Sequence, residues 1–390
     1  MSTNLRKAAG NLLVVGLGGA ELSGLERAWL RLIRPAGVIL FKRNIVGPAQ
    51  TRALIDEATG LGALHGARCV DVEGGTVNRL RDALGPMPSA QAVARASWNP
   101  ARSAKSRGKD VAPSSLAREH GELIARAVRA FGFNTTLAPV VDLGIPASVD
   151  VLGTRPPAAD PAQVMAFARA FLDGLAAHSV VGCGKHFPGL GSASSDSHFV
   201  TPEIGRTFQR VWNEDLIPYR QLHRAMPMIM TNHAAYPNTQ SRGVPASASP
   251  FWVTTVLRKR IGYKGIIFTD DLEMGGILKF LPVEEAAVAA VRAGSDMLEI
   301  CHSAELILRT YESLIAAAEK SAAFRSLLLA RAREVERKRA RMYAAGVPKA
   351  LTAKQFESLR YAVSRFRDKV AGLIESDQVI PRDAAPAEHV

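Results

Sequence analysis

Short runs of apolar residues alternate along the chain with longer segments in which apolar positions recur every three to four residues. Short, β-branched apolar runs are typical of buried strands, and the longer periodicity is typical of amphipathic helices. We predict strands in the runs that begin at Leu12, Gly37, Cys69, Thr135, Val180, Pro227, Gly265 and Asp296. Helices are predicted between them, among others over 24–33, 50–60, 115–131, 161–177 and 283–293.

Strands that are apolar throughout and alternate with helices indicate a parallel sheet covered on both faces. About eight such βα units are expected in a (β/α)8 TIM-type barrel, so the predicted fold class is α/β with this barrel. An open, doubly wound sheet is the alternative. The sequence GLGG at 16–19 lacks the third glycine of GxGxxG, which argues against a dinucleotide site at the first βα turn.

The domain organisation follows from two segments that do not fit the alternation. Residues 1–345 are predicted to form one barrel domain, and 346–390 a C-terminal extension. The extension contains a helix over 353–374, with apolar residues at three-to-four spacing, and then a disordered Pro/Ala-rich tail from Pro381. This helix is expected to pack on the barrel or on a second subunit, so an oligomer is possible. Residues 96–113 are basic, lack periodicity and are predicted to be a flexible loop.

The charge and cysteine content narrow the possible partners and compartment. The formal net charge is +13, but much of the excess lies in 325–341 and 102–109, without interleaved aromatic residues for base stacking. No nucleic-acid partner is therefore predicted. The cysteines Cys69, Cys183 and Cys301 are too few and too scattered for a disulfide framework or a CxxC metal site, which fits a reducing compartment.

The N-terminal segment imitates a signal peptide, because Arg6 and Lys7 precede the apolar sequence AAGNLLVVGLGGA. Asn11 interrupts the apolar run, and LLVVGL is equally compatible with a buried first strand. We favour the strand and hence a cytoplasmic location. No run of about 20 apolar residues is present, so no membrane span is predicted.

The most distinctive stretch is KHFPGLGSASSDSHF at 185–199, which places a Lys-His pair at a strand end and then a small-residue loop ending in Asp-Ser-His. Other predicted strands also end in polar residues. In a barrel the carboxyl ends of the strands converge on one face, where active sites are built. The residues at these ends are Asp71, Glu73, Asp142, Lys185, His186, Asn232, His233, Asp270 and Asp271.

These motifs resemble glycoside hydrolase family 3, in particular its single-domain β-N-acetylglucosaminidases of the NagZ type. The resemblance runs from about 12 to 301 and includes several motifs in the family's order. They are GVILFKRNI at 37–45, VDVEGGTVNRL at 70–80, LAPVVDL at 137–143, KHFPGLG with DSH at 185–198, and IIFTDDLEM at 266–274. The family's usual second domain is absent from the predicted organisation, as in the NagZ-type members.

The resemblance implies a retaining mechanism with Asp270 as nucleophile and His198 as acid/base, and with Asp196 orienting His198. A carboxylate at a strand end can attack an anomeric carbon and form a glycosyl-enzyme. An imidazole with a pKa near ~6.5 can donate and accept a proton at neutral pH. Asp271 is expected to have a structural role.

By the same resemblance, five residues are expected to contact the sugar: Asp71, Arg79, Arg155, Lys185 and His186. Carboxylates and cations suit a sugar's vicinal hydroxyls. The chain departs from the family at Thr76, Leu190 and Glu273, where Arg, His and Ser are common, and in the sequence PPAADP after Arg155. These differences put the outer subsite, and so the aglycone, in question.

The predicted function is an exo-acting β-N-acetylglucosaminidase that needs no metal or organic cofactor and acts on a small carbohydrate, by resemblance a cell-wall muropeptide. The first alternatives are a phosphorylase with the same residues and a broader β-glucosidase. A metal-dependent hydrolase using His186, His198 and His233 lacks an HxH or HExxH spacing. A non-catalytic glycan-binding barrel would be expected to have lost the nucleophile or the acid/base.

Overall fold

The predicted strands form a barrel in the computed structural model, which describes residues 2–98, 114–193, 200–347 and 349–375. Within these ranges, eight parallel strands close on themselves in the order β1-β10-β9-β8-β7-β6-β3-β2. The barrel strands are β1 (Leu13–Gly16), β2 (Gly37–Leu40), β3 (Ala67–Val70), β6 (Thr135–Thr136), β7 (Val181–Phe187), β8 (Met228–Thr231), β9 (Ile266–Asp271) and β10 (Met297–Ile300). The strands β4 (Val72–Gly74) and β5 (Val77–Asn78) form a small antiparallel hairpin after β3.

Closure of the sheet is set by the pairing of its first and last strands. Leu13 of β1 pairs with Leu298 of β10, and Val14 pairs with Gly37 of β2 on the other side. Because each barrel strand is fully or almost fully buried, the continuously apolar runs of the sequence match a sheet that is covered on both faces. The predicted TIM-type barrel is thus confirmed, and the doubly wound alternative is wrong.

Helices cover the outside of the barrel. They are Ser2–Gly10, Gly24–Ile33, Pro48–Leu61, Arg81–Leu84, Ala90–Ser97, Ser114–Ala130, Val149–Leu152, Pro161–Ala177, Phe208–Asn213, Ile217–Leu222, Gly275–Leu278, Val283–Ala293, Ala304–Lys320, Ala322–Met342 and Ala353–Glu375, with a π-helix at Phe251–Arg260 and 3-10 turns at Lys42–Asn44, Pro146–Ser148 and Ala246–Ala248. In the described residues no helix is both long and apolar enough to cross a membrane.

Two helices that follow each other around the barrel approach closely because glycines face each other. A Cβ at Gly121 would lie 2.2 Å from the Phe171 carbonyl oxygen, and one at Gly174 would lie 2.4 Å from the Arg118 carbonyl oxygen. Any larger residue would force the helices Ser114–Ala130 and Pro161–Ala177 apart.

The C-terminal helix Ala353–Glu375 packs on its own chain, against the helices Ala90–Ser97 and Ser114–Ala130. Phe366 is buried and stacks on His120, with ring centroids 5.7 Å apart. The apolar face predicted from the sequence is therefore covered within the protomer. The predicted tail from Pro381 lies outside the described residues.

The N-terminal residues form the helix Ser2–Gly10, which packs against Ala304–Lys320 and Ala322–Met342 and is followed by β1. The segment LLVVGL thus includes the buried strand that we favoured. The predicted loop 96–113 begins too early, because the helix Ala90–Ser97 continues through its first two residues. Residues 99–113 lie outside the described part of the chain.

At the amino-terminal end of the strands, Asp296 is fully buried and is surrounded by three cations. Its Oδ1 accepts a hydrogen bond from Arg331 at 2.9 Å, and its Oδ2 contacts Lys338 at 3.3 Å and Arg258. Burial alone would raise the pKa of Asp296, but these cations lower it below its ordinary value. Part of the basic excess in 325–341 is therefore balanced inside the fold.

Candidate active site

A cavity opens at the carboxyl-terminal end of the barrel. This is the end at which TIM-barrel enzymes build their active sites. The proposed nucleophile and the five residues expected to contact sugar all line it. They are Asp71, Arg79, Arg155, Lys185, His186 and Asp270.

Lys185, in β7, is buried between two carboxylates of the chain that follows β3. Its Nζ lies 2.8 Å from Asp71 Oδ1 and 2.7 Å from Glu73 Oε1. Burial would lower the pKa of Lys185, but the two carboxylates raise it above its ordinary value. The ammonium therefore stays charged, and Asp71 keeps lone pairs that can accept sugar hydroxyls.

Arg155 binds Glu73 with two parallel hydrogen bonds, from Nε at 3.0 Å and from a terminal nitrogen at 2.9 Å. Burial alone would raise the pKa of Glu73, but Arg155 and Lys185 lower it to about 2. Glu73 is 5% exposed and is thus the anion that holds both cations in place. Glu73 is not among the site residues expected from the sequence, although its position two residues after Asp71, at a strand end, is a signal for it.

The orientation of His186 is fixed from both sides of its ring. Nδ1 lies 2.7 Å from Asp142 Oδ2, and Nε2 lies 3.2 Å from an Arg155 nitrogen. Because a guanidinium only donates, Nε2 accepts the hydrogen bond from Arg155. Nδ1 then carries the ring proton and donates a hydrogen bond to Asp142. Asp142 also accepts hydrogen bonds from the backbone N–H groups of His186 and Leu190, so it supports this end of the barrel.

Asp270 and Asp271 close β9 but occupy different environments. Asp270 is half-buried and lines the cavity, and its Oδ1 accepts the backbone N–H of Asp271 at 3.1 Å. Asp271 is more deeply buried, and its Oδ1 accepts the backbone N–H of Glu273 at 3.0 Å. Burial and the adjacent Glu273 raise the pKa of Asp271 to about 8. The environment therefore disfavours the carboxylate form of Asp271, which suits a structural role.

Glu273, one of the departures from the family, binds the start of the helix Ala304–Lys320. Its carboxylate oxygens accept the backbone N–H groups of Cys301 at 2.8 Å, of Ser303 at 2.8 Å and of His302. These donors have no partner inside the helix, and a carboxylate at a helix amino terminus is favoured by the helix dipole. The acidic residue at this position thus has a structural explanation.

The proposed acid/base His198 and its partner Asp196 lie outside the described residues, in 194–199. Both flanks of this stretch are described. Leu190, before this stretch, lines the cavity. Thr201, after it, donates a hydrogen bond from Oγ1 to the carbonyl oxygen of Gly276 at 2.7 Å. Gly276 lies two residues beyond Met274, which also lines the cavity.

The third histidine of the metal-dependent alternative, His233, is occupied by the protein. Its Nδ1 lies 2.7 Å from Ser247 Oγ and its Nε2 lies 2.9 Å from the carbonyl oxygen of Asp271. Both ring nitrogens of His233 therefore contact protein atoms, which opposes their use as metal ligands together with His186.

A different trio in the described residues, Asp271, Cys301 and His302, has potential ligand atoms within 4.8 Å of one another. The contacts of His302 oppose this use. Arg43 lies 3.1 Å from His302 Nδ1 and can only donate, so the ring proton is on Nε2, the nitrogen that faces Asp271. A metal ligand at Nε2 would need that proton removed and a donor facing Nδ1 replaced by an acceptor.

Comparisons with known proteins agree with the resemblance. Residues 4–337 match the family described as Glycosyl hydrolase family 3 N terminal domain. Relatives named Beta-hexosaminidase include one from Idiomarina loihiensis, 33% identical over 80% of this chain and 90% of its own length. Another, from Methylococcus capsulatus, is 36% identical over 76% of this chain and 84% of its own length.

Solved structures give the same result. A glycoside hydrolase family 3 β-N-acetylglucosaminidase from Paenibacillus sp. is similar with a TM-score of 0.80 and 28% identity, over 93% of this chain and 68% of that one. NagZ from Neisseria gonorrhoeae is similar with a TM-score of 0.72 and 26% identity, over 93% of this chain and 97% of that one. The fold, the cavity and these matches together show that the chain belongs to glycosyl hydrolase family 3 and is a glycoside hydrolase.

Proposed function

We propose that this protein is a retaining exo-β-N-acetylglucosaminidase that removes a terminal, non-reducing GlcNAc residue. The observation that carries the proposal is the convergence of Asp270 with the five expected sugar contacts around one cavity. The relatives named Beta-hexosaminidase and the NagZ structure support the choice of sugar. The proposed substrate is a GlcNAc-containing muropeptide from cell-wall recycling in the cytoplasm.

In the first proposed step, the Asp270 carboxylate attacks the anomeric carbon and forms an ester with it. The bond from that carbon to the aglycone oxygen breaks, and the oxygen takes a proton from His198. In the second step, His198 removes a proton from water, water attacks the anomeric carbon, and the ester to Asp270 breaks. Two inversions leave the configuration retained.

The charge pattern around the cavity supports this chemistry. The cations Lys185 and Arg155 pair with the carboxylates Asp71 and Glu73, so these four charges beside the proposed nucleophile balance one another. Asp71 remains able to accept hydrogen bonds from two sugar hydroxyls, and His186 is held in one orientation by Asp142. Such preorganised groups position a substrate without rearrangement during the reaction.

The described flanks support a role for His198 in this cavity. His198 precedes Thr201 by three residues, which is at most about 10 Å of extended chain. Thr201 is bonded to Gly276, two residues beyond the cavity-lining Met274, so the described chain that follows His198 is attached to a segment that reaches the cavity.

The decisive test is to trap the glycosyl-enzyme with a fluorinated GlcNAc analogue and to locate the label by mass spectrometry. We expect the label on the peptide that contains Asp270. Asp270→Asn should lower kcat/KM for an aryl β-GlcNAc by at least about 1,000-fold, whereas the matched variant Asp271→Asn should retain most of the activity. A label on another residue, or a product with inverted configuration, would contradict the proposal.

Two further measurements separate the related enzymes. Appearance of GlcNAc-1-phosphate when phosphate is added would indicate the phosphorylase instead of the hydrolase. Faster hydrolysis of aryl β-glucoside than of aryl β-GlcNAc would indicate the broader β-glucosidase.

For His198→Ala, we expect hydrolysis of the glycosyl-enzyme to slow more than its formation when the leaving group is activated, because such a group needs little protonation.

A further inference from the structure

Glu299 is the only charged residue of the strand β10, and neither the sequence motifs nor the proposed mechanism uses it. It is 3% exposed and lines the cavity next to Asp270 and Asp71. Its backbone is fixed on both sides: its N–H donates to Thr269 Oγ1 at 3.1 Å, and it pairs with Val14 of β1. The side chain therefore enters the cavity from a rigid position.

The two carboxyl oxygens of Glu299 differ in their contacts. Oε1 accepts a hydrogen bond from the thiol of Cys301, at 3.2 Å. Oε2 is buried and has no hydrogen-bond partner among the described residues. Native proteins leave few buried polar atoms without a partner, so this oxygen, on a side chain that lines a cavity, is the observation that points to a ligand.

The surroundings of Glu299 favour its neutral form. Burial, and then the carboxylates of Asp271, Asp71 and Asp270, raise the pKa of Glu299 well above its ordinary value. Since Oε1 accepts from a thiol, the proton resides on Oε2, the oxygen without a partner. A neutral carboxylic acid kept in this state can donate a hydrogen bond at pH 7.

We propose that Glu299 is a further substrate-contacting residue, whose Oε2–H donates a hydrogen bond to a hydroxyl of the sugar in the cavity. This inference rests on the proposed function, because it needs a sugar beside Asp270. It adds a donor from the eighth barrel strand to the acceptor Asp71 and to the cations Lys185, Arg79 and Arg155. A site that donates to a hydroxyl discriminates against sugars that lack it, because the buried donor is then left unpaired.

The experiment compares Glu299→Gln and Glu299→Leu with the unchanged protein on an aryl β-GlcNAc and on its 3-, 4- and 6-deoxy analogues. Glu299→Gln keeps an acceptor for Cys301 and an N–H donor, so we expect kcat/KM within about threefold of the unchanged protein. Glu299→Leu is of similar size and lacks the donor. We expect it to lower kcat/KM about tenfold on the parent substrate, but by less than about twofold on the one analogue that lacks the partner hydroxyl.

The pattern across the analogues decides the proposal. An equal loss on every substrate would show that Glu299 acts only on the protein, and no loss in Glu299→Leu would show that it makes no useful contact; either result overturns the proposal. Thermal unfolding of both variants identifies a loss of activity that is due to misfolding. If Glu299→Leu is misfolded, Glu299→Gln is the test, and it should show the same preference among the analogues as the unchanged protein. If the unchanged protein hydrolyses none of these substrates, the proposed function itself fails, and Glu299 has no sugar to contact.

Discussion

Lys185 is the cation that offsets two carboxylates at the cavity, Asp71 and Glu73. Lys185→Met keeps the length of the side chain and removes its charge, so the carboxylates repel each other and Asp71 loses its fixed position. We expect kcat/KM on an aryl β-GlcNAc to fall by at least about 100-fold, which corresponds to about 2.7 kcal/mol of barrier.

The control for Lys185 is Lys7→Met, which removes an exposed lysine paired with Glu336 at the protein surface. It should leave kcat/KM unchanged, since exposed ion pairs contribute little. If Lys185→Met retained activity within about threefold, charge balance at Asp71 would not be its role.

His120 is a buried histidine that the fold keeps neutral. Burial lowers its pKa from the ordinary 6.5 to about 3, and aromatic rings of Phe171 and Phe366 lie against it. The unfolded chain binds a proton at this residue as the pH falls through 6.5, whereas the native protein does not do so until about pH 3. The free energy of unfolding therefore decreases as the pH falls from 6.5 to about 3.

His120→Leu removes this proton linkage. Between pH 7 and pH 4 the unchanged protein should lose about 3 kcal/mol more unfolding free energy than the variant, as measured by urea unfolding at both pH values. The packing effect of the substitution is present at both pH values and cancels in the difference. Equal pH dependence of the two proteins would contradict the neutral, buried state of His120.

At the scale of an element, the helix Ala353–Glu375 adds an apolar face to helices of the barrel. Phe366→Ala deletes a buried ring, and we expect the free energy of unfolding to fall by about 3–5 kcal/mol. Tyr361→Ala, on the exposed side of the same helix, should cost less than about 0.5 kcal/mol. Denaturant unfolding of both variants measures the difference, and equal costs would mean that this face is not packed on the barrel.

Carboxyl residues that are close together on or next to one strand have different contacts and pKa shifts. In β9, Asp270 faces the cavity while Asp271 and the following Glu273 bind backbone N–H groups. Asp296 immediately precedes β10, at the amino-terminal end of the barrel, and Glu299 within β10 lies at the cavity. Carboxylates of the same chemical type therefore receive opposite pKa shifts from their positions along the chain, low for Asp296 and high for Glu299.

At the scale of the whole molecule, the two ends of the barrel have different roles, stability at one and chemistry at the other. Asp296→Asn removes the charge that Arg258, Arg331 and Lys338 share, and leaves three cations facing one another. We expect the free energy of unfolding to fall by about 3–5 kcal/mol, measured by denaturant unfolding, with kcat/KM unchanged under folding conditions.

The matched control for Asp296 is Asp368→Asn, whose partner Arg367 lies on the surface. Its cost should stay below about 1 kcal/mol. Because the pKa of Asp296 is lowered in the fold, its contribution is present above the pKa of an unfolded aspartate and is lost as the pH falls through the folded value. If Asp296→Asn unfolded at the same denaturant concentration as the unchanged protein, the cluster would not stabilise the barrel.

The sequence by itself determined the strands, the helices between them and the family. Apolar runs and helical periodicity depend on residues that are near one another in the chain, and the motifs at 70–80, 185–198 and 266–274 are contiguous. Even the position of the site could be predicted, because the carboxyl ends of parallel barrel strands meet on one face.

Only the tertiary structure decided which charges pair and which carboxyls are neutral. Lys185 meets Asp71 across 114 positions of sequence, and Glu273 binds backbone N–H groups 28 to 30 positions away, just before a helix begins. Glu299 has a raised pKa because folding removes it from water and places other carboxylates around it. Desolvation and long-range Coulomb interactions depend on the folded arrangement of the whole barrel, so no local pattern in the sequence contains them.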